Sequence, residues 1–592
     1  MTDERPSEPP LLPQQRWVRG LALSVLALML SVFAWWPMLW AYPLTQAGDG
    51  PPYHKTLEAA RVSIVRYHEF PQWNPYECGG LPLWDNPQAP IGAPLAWPMF
   101  FVGTTMAMYL WYVVHSALGF GCMWLFARSE LRLSRTSTFF VATAWAFAGF
   151  HQQHYSGGHF TFVPFLYFPL ALLLWRRAET SATHAVGLGL LVAWMMLEGG
   201  VYPIPHLAVI LAVETLTRAW NPKRLPKIAL AGAIVGAVAF SVAAIRFLPV
   251  IDQLRAHKRA IGEETDALQW TTFKQMFLSR THARAVEGQT YVWPEYGAYL
   301  GPIVLLLALI GLAFAGLEFW WMIVLLLFAT ALMFGHAGKF APWHVLKGHV
   351  FPFKEMRVPS RFRCEVTLFL VAFAGLGVDR SIAWCRRWLP HLTWASSART
   401  AITCVALLGA GDIVSVGVDL YDVSFTNPAA DPHVKASPHL YLHGADLAQM
   451  IDEPAQNRMR AQCWDEWGFG AGAPLWDGDV PQARAEDDGA IVTSVSRSQN
   501  KFFLEVTATR PARILLNGTY DREWRTNVGE LVDRDKQLVL QLPEGTHHVV
   551  VRYWPHRFNA GAIVSVLGLA GVIAFFVVAR KRRGSPDARK SG

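Results

Sequence analysis

Polar residues that could do chemistry are concentrated in short segments between long apolar runs, and the first of them is an acid. Asp49 lies between Gly48 and Gly50. Glycines on both sides let the backbone turn tightly and expose the carboxylate. A carboxylate beside an apolar wall can have a raised pKa and act as a general base. The alternative interpretation is a turn acid at the point where the chain leaves a membrane.

A second segment, residues 73–88, combines tryptophans, amides, acids and turn residues. The mixture suits carbohydrate, because sugar faces stack on aromatic rings while hydroxyls pair with amides and carboxylates. An interfacial aromatic belt would explain the tryptophans equally well. The candidate substrate-binding residues of this segment are Trp73, Asn74, Glu77, Asp85 and Asn86.

A third segment carries three histidines, His151, His154 and His159. Their spacing matches no standard zinc motif, and no acid lies among them. The pattern therefore favours hydrogen bonds from His154 and His159 to a substrate or a phosphate over a metal site.

Three further ionisable residues, Glu198, His206 and Glu295, lie at predicted membrane edges. Ionisable groups in such places are costly unless they are paired or functional. Structural ion pairs and substrate contacts are both compatible with these positions.

A basic cluster precedes one of the later apolar runs, at Arg357, Arg361 and Arg363. Guanidinium groups bind phosphate with matching fork geometry. Contact with ordinary lipid headgroups is the alternative. The cluster predicts a bound phosphorylated lipid, and Arg246, near the outer end of another apolar run, could add to it.

Composition identifies the class of protein that must position these residues. The chain has 592 residues, 52% of them hydrophobic and only 16% charged, whereas about 25% is usual in soluble domains. The net charge of +8 comes largely from short loops beside apolar runs, so it does not indicate nucleic-acid binding. The first run, 21–39, is as long as a true span and has no small-residue cleavage site, which predicts a retained anchor.

The apolar runs predict a mainly α-helical polytopic membrane protein with about twelve spans. The predicted spans are 20–41, 103–127, 136–150, 160–175, 185–198, 204–218, 228–248, 298–316, 319–335, 365–383, 399–419 and 559–579.

The basic loops test this count, because Lys and Arg concentrate on the cytoplasmic side. With a cytoplasmic N-terminus, the basic stretches after the second, fourth, sixth, tenth and twelfth spans all fall inside. Both termini are therefore predicted to be cytoplasmic, and the candidate site residues all emerge on the outer face.

The same threading predicts the domain organisation. Residues 1–19 form a cytoplasmic tail, 20–419 a transmembrane domain with outer loops 42–102, 249–297 and 336–364, and 580–592 a basic cytoplasmic tail after the final span, 559–579. Segment 420–558 is long enough for an extracytoplasmic domain of its own. Alternating, β-branched residues predict a small β-sandwich in its second half, with strands at 490–495, 502–509, 512–516, 537–542 and 547–554 and turns at 517–518 and 543–545.

Of the six cysteines, only Cys78 and Cys463 fall clearly within predicted outside segments, since Cys364 lies at the boundary with a predicted span. A disulfide between them is possible, but sequence alone does not show whether the two approach each other.

The order of these motifs resembles that of the YfhO family of bacterial membrane proteins, which belongs with the GT-C glycosyltransferases. The likeness covers nearly the whole chain. One departure is 521–523, Asp-Arg-Glu, where the family pattern has Pro-Gly. The segments that carry the resemblance are 48–50, 70–88, 150–164, 247–249, 296–301, 357–362, 520–524, 543–547 and 553–558.

The resemblance implies a GT-C fold in the bacterial inner membrane and transfer of a sugar from a polyprenyl-phosphate donor to an envelope glycan or protein. It implies that Asp49 is the base of an inverting reaction. Arg357, Arg361 and Arg363 would stabilise the departing lipid phosphate, with Arg361 favoured. The family allows a divalent cation, although no residue pattern here requires one.

Two other functions fit the same sequence. A lipid or oligosaccharide transporter or flippase predicts ionisable residues near the middle of spans and broken helices paired between two halves. A non-catalytic partner in envelope assembly would use the β-rich module as its binding element.

Overall fold

The structure is a computed structural model that describes residues 13–257, 266–281, 285–338, 341–388, 394–428, 435–437, 440–442, 450–460, 463, 473–476, 478 and 480–584. Most of the described residues are helical, and β structure is concentrated towards the C-terminus.

Helices make up the first two thirds of the chain and return at its end. In chain order they are α1 Pro13–Ala34, α2 Trp36–Ala41, α3 Gly50–Val65, α4 Met99–Val102, α5 Thr104–Ser129, α6 Arg135–Ala146, α7 Gly149–Ser156, α8 Phe168–Ala178, α9 Ala182–Leu197, α10 Pro203–Ala219, α11 Leu225–Ala256, α12 Trp270–Leu278, α13 Gly301–Ala313, α14 Trp320–Met333, α15 Pro342–His349, α16 Arg363–Trp388, α17 Trp394–Asp422, α18 Glu453–Gln456 and α19 Phe558–Gly584.

Six helical stretches in the described part of the chain are long and apolar enough to cross a membrane, which makes this a multi-pass membrane protein. Four lie within α1, α5, α17 and α19, and the other two extend over 222–256, which includes α11, and over 359–388, which includes α16. A seventh span is reached if α13 and the stretch 317–333 count as one, but the chain bends by 112° between the two. The total of twelve stays a prediction, because the helices at the other predicted spans are short or broken.

Two differences from the sequence prediction concern the site. The predicted span 136–150 is two helices, α6 and α7, and the predicted span 160–175 begins as a 3-10 helix, Phe160–Tyr167. The first outer loop contains the sixteen-residue helix α3, which the sequence analysis did not predict. Its mixed polar and apolar residues lack the long apolar run that marks a span.

Glycines bring the long helices into close contact. A Cβ atom on Gly311 of α13 would lie 1.8 Å from the carbonyl oxygen of Phe373 in α16, and one on Gly377 of α16 would lie 2.0 Å from that of Leu307. Small residues of this kind let helix backbones approach closely in membranes. The α13–α16 pair therefore forms a tightly packed centre of the helical domain.

Basic loops meet in one ion-pair cluster at one end of the helices. Arg176 in the last turn of α8 contacts Glu130 at 2.5 Å and Glu214 at 2.6 Å, and Arg218 contacts Glu214 at 2.6 Å and Glu179 at 3.3 Å. The loops after α5, α8 and α10 thus share one end of the molecule, as the threading requires. The side of the membrane on which they lie remains a prediction.

Strands form three two-stranded pairs and two four-stranded sheets. In chain order they are β1 Thr45–Gln46, β2 Trp73–Asn74, β3 Leu81–Pro82, β4 Phe425–Asn427, β5 Tyr441–Leu442, β6 Arg458–Met459, β7 Ala483–Ala485, β8 Ala490–Arg497, β9 Lys501–Ala508, β10 Ala512–Thr519, β11 Trp524–Thr526, β12 Glu530–Arg534, β13 Gln537–Leu542 and β14 Gly545–Tyr553.

The two larger sheets pack face to face as a β-sandwich. Their strand orders are β12-β13-β10-β7 and β11-β14-β9-β8, and all of their pairings are antiparallel. Inward residues of both sheets, such as Ile514 and Val551, share one apolar core. The five predicted strands are present, but the predicted turn at 517–518 is wrong, because Asn517 is buried within β10 where the register is irregular.

The first outer loop is fastened to this module. Trp73 inserts into the sandwich core, where its ring lies 5.2 Å from that of Trp524 and 4.5 Å from that of Tyr553. A disulfide joins Cys78 to Cys463, so the two cysteines in predicted outside segments are paired in the structure. The limits proposed for the C-terminal domain remain a prediction.

Candidate active site

Asp49 occupies the position just before the first turn of α3. Its backbone N–H donates to the carbonyl of Gly157 at 3.0 Å, and Gly48 before it has φ +67°. Gly158 has φ +82°, and a Cβ atom there would lie 2.2 Å from the nitrogen of Gly50. The start of α3 is therefore seated against the histidine segment with no room for a side chain at Gly158.

A line of hydrogen-bonded side chains runs from a buried arginine to Asp49. Arg363 Nη2 lies 2.9 Å from His154 Nε2, His154 Nδ1 lies 2.6 Å from His159 Nδ1, and His159 Nε2 lies 3.1 Å from Asp49 Oδ2. Arg363 and His154 are fully buried, whereas the Asp49 side chain is 37% exposed. We call this set the Asp49 line.

The chemistry of the donors gives the Asp49 line a direction. Arginine is only a donor, so His154 Nε2 accepts. Burial, aided by Arg363, holds the pKa of His154 well below its usual value, so the ring is neutral and carries its proton on Nδ1. His154 then donates to His159 Nδ1, and a neutral His159 donates from Nε2 to Asp49. Every contact in the line thus pairs one donor with one acceptor.

The remaining donors of Arg363 are used by the backbone. Its Nε donates to the carbonyl of Gly297 at 2.9 Å, Nη1 donates to those of Glu295 and Ser360, and Nη2 also donates to that of Pro294. With this set of partners the guanidinium anchors the Asp49 line, and the predicted phosphate-binding role of Arg363 stays a prediction.

Arg361 and Glu295 form a separate, neutralised pair. Arg361 Nε donates to Glu295 Oε2 at 2.9 Å, and Nη2 donates to the other carboxylate oxygen. Burial alone would raise the pKa of Glu295, but the charge and hydrogen bonds of Arg361 outweigh it and lower the pKa to about 2. The guanidinium also packs 4.5 Å from the ring centre of Tyr202.

A polar cleft opens beside Asp49. It has about 480 Å³ of empty space between α3 and the 74–89 segment. The cleft brings together four residues singled out in the sequence, Asp49, Asn74, Glu77 and Asn86. A carboxylate, two amides and a second acid around one opening can bind and deprotonate a polyhydroxyl compound.

Three cleft residues were missed in the sequence analysis, namely Tyr53, Thr56 and Gln88. The hydroxyl of Tyr53 lies 3.1 Å from Gln88 Oε1 and 3.2 Å from Thr161 Oγ1. Asp49, Tyr53 and Thr56 follow the four- and three-residue steps of one helix face. That spacing would have revealed them had α3 been predicted.

Other predicted site residues lie elsewhere. Trp73 is buried in the sandwich core, so no ring face is open to a sugar. Asp85 is 1% exposed, and burial together with the nearby Asp521 raises its pKa to about 8. Arg246 donates to the carbonyls of Trp84, Asn86 and Ala89, which makes it a clamp on the loop that carries Asn86.

The two remaining candidates form closed pairs between helices. Glu198 accepts from the hydroxyl of Tyr167 at 2.9 Å and contacts His115 Nε2 at 2.9 Å. His206 Nδ1 lies 2.9 Å from Glu365 Oε1. Both pairs are buried away from the cleft.

Arg357 is half-buried in the segment before the 3-10 helix Pro359–Phe362. Within the described residues, no group of three or more His, Cys, Asp or Glu side chains is arranged to hold a metal ion. The divalent cation that the family resemblance allows therefore has no candidate ligand set among them.

Comparison with known proteins gives only distant likeness. No family model matches the chain, and no curated protein matches it. Among solved structures it is similar to the arabinofuranosyltransferase AftD from Mycobacteria, with 14% identity and a TM-score of 0.40, over 69% of this chain and 27% of that one.

Two structures of an oligosaccharyltransferase from Archaeoglobus fulgidus are also similar. One, with a tethered acceptor peptide, has 10% identity and a TM-score of 0.43, over 76% of this chain and 64% of that one. The other, AglB with an inhibitory peptide and a dolichol-phosphate, has 11% identity and a TM-score of 0.46, over 78% and 65%. The chain spans less than two thirds of the length of each, and likeness at this level carries no argument about activity.

Proposed function

We propose that this chain is a GT-C-type membrane glycosyltransferase that transfers a sugar from a polyprenyl-phosphate donor to an extracytoplasmic envelope acceptor. The observation that carries the proposal is the half-exposed carboxylate of Asp49, held by the Asp49 line at the edge of a polar cleft. The motif order described above supports the donor class.

In the proposed reaction, Asp49 removes the proton of an acceptor hydroxyl bound in the cleft. The acceptor oxygen forms a bond to the anomeric carbon from the face opposite the leaving group, so the configuration inverts. The bond between that carbon and the phosphate oxygen breaks, and polyprenyl phosphate departs with the electron pair. Asn74, Glu77 and Asn86 would bind the sugar or acceptor hydroxyls.

In the proposed reaction, the hydrogen bond from His159 orients the Asp49 carboxylate. It holds one oxygen of the carboxylate and leaves the other for the acceptor. Arg363, buried behind His154 and His159, anchors the line that orients the Asp49 carboxylate. His154 and His159 are then positioning residues rather than catalytic ones.

The departing phosphate needs cationic stabilisation, and the proposal assigns it to Arg357 and Arg361. Arg246 and Arg363, predicted from the sequence for this role, are left out because backbone carbonyls and His154 use their donors. Arg361 is buried and paired with Glu295, whereas Arg357 is only half-buried and therefore more open to a bound phosphate, which makes Arg357 the first arginine to test.

The experiment uses the full chain in lipid nanodiscs with a panel of polyprenyl-phosphate monosaccharides and crude envelope glycan. Release of polyprenyl phosphate is measured, since that product does not depend on which acceptor is used. Asp49→Asn should lower the rate by about 10²–10⁴, the usual contribution of a general base. Asp487→Asn, at an exposed acid of the β-sandwich, is the matched control. Equal rates for Asp49→Asn and the unsubstituted chain would sink the role of Asp49.

The transporter remains the second candidate because the described residues contain buried ionisable pairs between helices, His115 with Glu198 and His206 with Glu365. Each is closed by its own partner. Movement of labelled lipid across the nanodisc membrane, unchanged by Asp49→Asn, would favour this alternative. Restoration of envelope glycan in a deletion strain by the Asp49→Asn chain would instead favour the non-catalytic assembly partner.

A further inference from the structure

A second cavity lies between the first outer loop and the β-sandwich. It has about 580 Å³ of empty space, a volume that includes the open solvent at its mouth. Pro75 and Tyr76 line it, whereas their neighbours Asn74 and Glu77 line the Asp49 cleft. One short segment is therefore the wall between the two. We call this space the Arg497 cavity, after the residue that carries the argument.

Arg497, the last residue of β8, is fixed on one side only. Its Nη1 donates to Gln482 Oε1 at 3.0 Å and to the carbonyl of Asn517 at 2.6 Å, and the guanidinium packs 4.4 Å from the ring centre of Phe502. The other nitrogen, Nη2, is buried and has no hydrogen-bond partner within the described residues. An unmatched cationic donor at a cavity wall is suited to a carboxylate or another anion.

Gln499 adds an acceptor to the same cavity. The residue is 1% exposed, and its Nε2 donates to the carbonyl of Trp73 at 2.8 Å. That bond fixes the amide, and Oε1 is left buried without a partner in the described part of the chain. An inorganic anion would not satisfy this oxygen, because it needs a hydroxyl or N–H donor.

The other walls suit a sugar ring. The partly exposed Tyr67 provides aromatic surface, and Ser496 and Ser498 also line the cavity. A ligand that offers a carboxylate to Arg497, a hydroxyl to Gln499 and a ring face to a tyrosine has the chemistry of an acidic sugar.

We propose that the Arg497 cavity binds the acidic sugar of an anionic glycan, with its carboxylate on Arg497 and a ring hydroxyl on Gln499. The 74–77 segment contributes residues both to this cavity and to the Asp49 cleft, so a glycan bound here lies against the segment that also lines the cleft. The binding site stands independently of catalysis, and only its description as an acceptor subsite rests on the proposed function.

The test measures binding to the full chain in nanodiscs by ligand-observed NMR, without any donor. Glucuronate is the probe, and glucose and glucuronamide are its neutral counterparts. Glucuronate should bind about tenfold more tightly than glucuronamide, as expected for a hydrogen bond to a charged group. Arg497→Gln should abolish that preference, whereas Arg510→Gln, at an exposed arginine outside the cavity, should retain it.

A second variant covers the case in which Arg497→Gln does not fold. Ser496→Trp fills the cavity from an exposed position and leaves the contacts of Arg497 in place, so it should also abolish glucuronate binding. Equal binding of glucuronate and glucuronamide by the unsubstituted chain, a preference for glucuronate that persists in Arg497→Gln, or glucuronate binding that persists in Ser496→Trp would each overturn the proposal. Asp49→Asn should bind glucuronate normally, so loss of transfer and loss of this site are separate results.

Discussion

Asp49 and Lys55 belong to the same short segment at the start of α3, yet the structure uses their charges in different ways. Lys55 is fully buried, with Nζ 2.6 Å from Glu453, which in turn holds Arg460 through Nε at 2.9 Å. Asp49 is 37% exposed and has His159 on one oxygen. The set formed by Lys55, Glu453 and Arg460 is buried throughout, and we call it the closed set. The Asp49 line ends instead at a partly exposed carboxylate beside the cleft, and we call it the open set.

The closed set fastens segment 450–460 to α3 beneath the β-sandwich. Removal of a buried carboxylate between two cations strongly lowers the stability of a fold, because the buried positive charges lose the group that neutralised them. The Asp49 line also begins with a buried cation, Arg363. Hydrogen bonds through two histidine rings connect that cation to a carboxylate that is exposed to solvent. The difference indicates that charge in this outer region is buried where it holds elements together and exposed where it can react.

The largest effect should come from opening the closed set. Glu453→Gln removes the carboxylate that Lys55 and Arg460 share, while Glu77 stays 4.0 Å from Lys55, and it should lower the free energy of unfolding by about 3–5 kcal/mol. Thermal unfolding in detergent measures it. Glu505→Gln, at an exposed acid of the sandwich, should change it by less than ~0.5 kcal/mol. Similar values for the two variants would erase the distinction between closed and open sets.

Asp85 is a buried acid whose effect on stability should depend on pH. Unlike Glu453, which pairs with Lys55 and Arg460, it has no ion pair within the described residues. Its pKa is raised to about 8 from the usual 3.8, first by burial and then by Asp521. The folded chain therefore keeps a proton that the unfolded chain releases. The stability contributed by this proton is fully present below pH ~4 and is lost as the pH rises through about 8.

Asp85→Asn should accordingly stabilise the protein more at pH 8.5 than at pH 5, by at least ~2 kcal/mol, since each pKa unit corresponds to about 1.4 kcal/mol. Burial raises the pKa of Asp521 to about 6, and this shifts stability in the same direction in the unsubstituted chain and in Asp85→Asn. Unfolding temperatures at the two pH values give the difference. A gain that is the same at both would mean that Asp85 does not titrate in this range.

The smallest effect on stability, together with a clear effect on the transfer rate, is expected at His159, which contacts Asp49 at the exposed end of the Asp49 line. His159→Leu should lower the transfer rate by about tenfold, since a single positioning hydrogen bond contributes roughly 1–1.5 kcal/mol. His159→Gln places an amide N–H near the position of Nε2 and should restore much of the rate. A structural role alone would make the two variants equal in rate, and kinetics of polyprenyl phosphate release would show this.

Sequence patterns predicted several elements of the fold. The apolar runs placed a helix at each predicted span, and alternating residues predicted five of the eight strands of the sandwich. These features depend on local periodicity, which each segment carries by itself. Helix α3 and the short strands β7, β11 and β12 have no such pattern and were missed.

The candidate site was predicted unevenly for the same reason. Residue type and flanking glycines were enough to single out Asp49, and Asn74, Glu77 and Asn86 do line its cleft. The arginines were chosen by charge alone, and sequence does not show which carbonyls a guanidinium will meet. Arg246 and Arg363 are therefore structural anchors, although they resemble Arg357 in sequence.

By itself the sequence determined that the chain is apolar enough to cross a membrane several times and that its polar segments cluster between the spans. Only the tertiary structure decided which of those segments meet. The Asp49 line joins residues 49, 154, 159 and 363, and the Arg497 cavity joins the first outer loop to the sandwich. Hydropathy acts on each segment separately, whereas a hydrogen bond between distant residues exists only once packing has brought them within about 3 Å of each other.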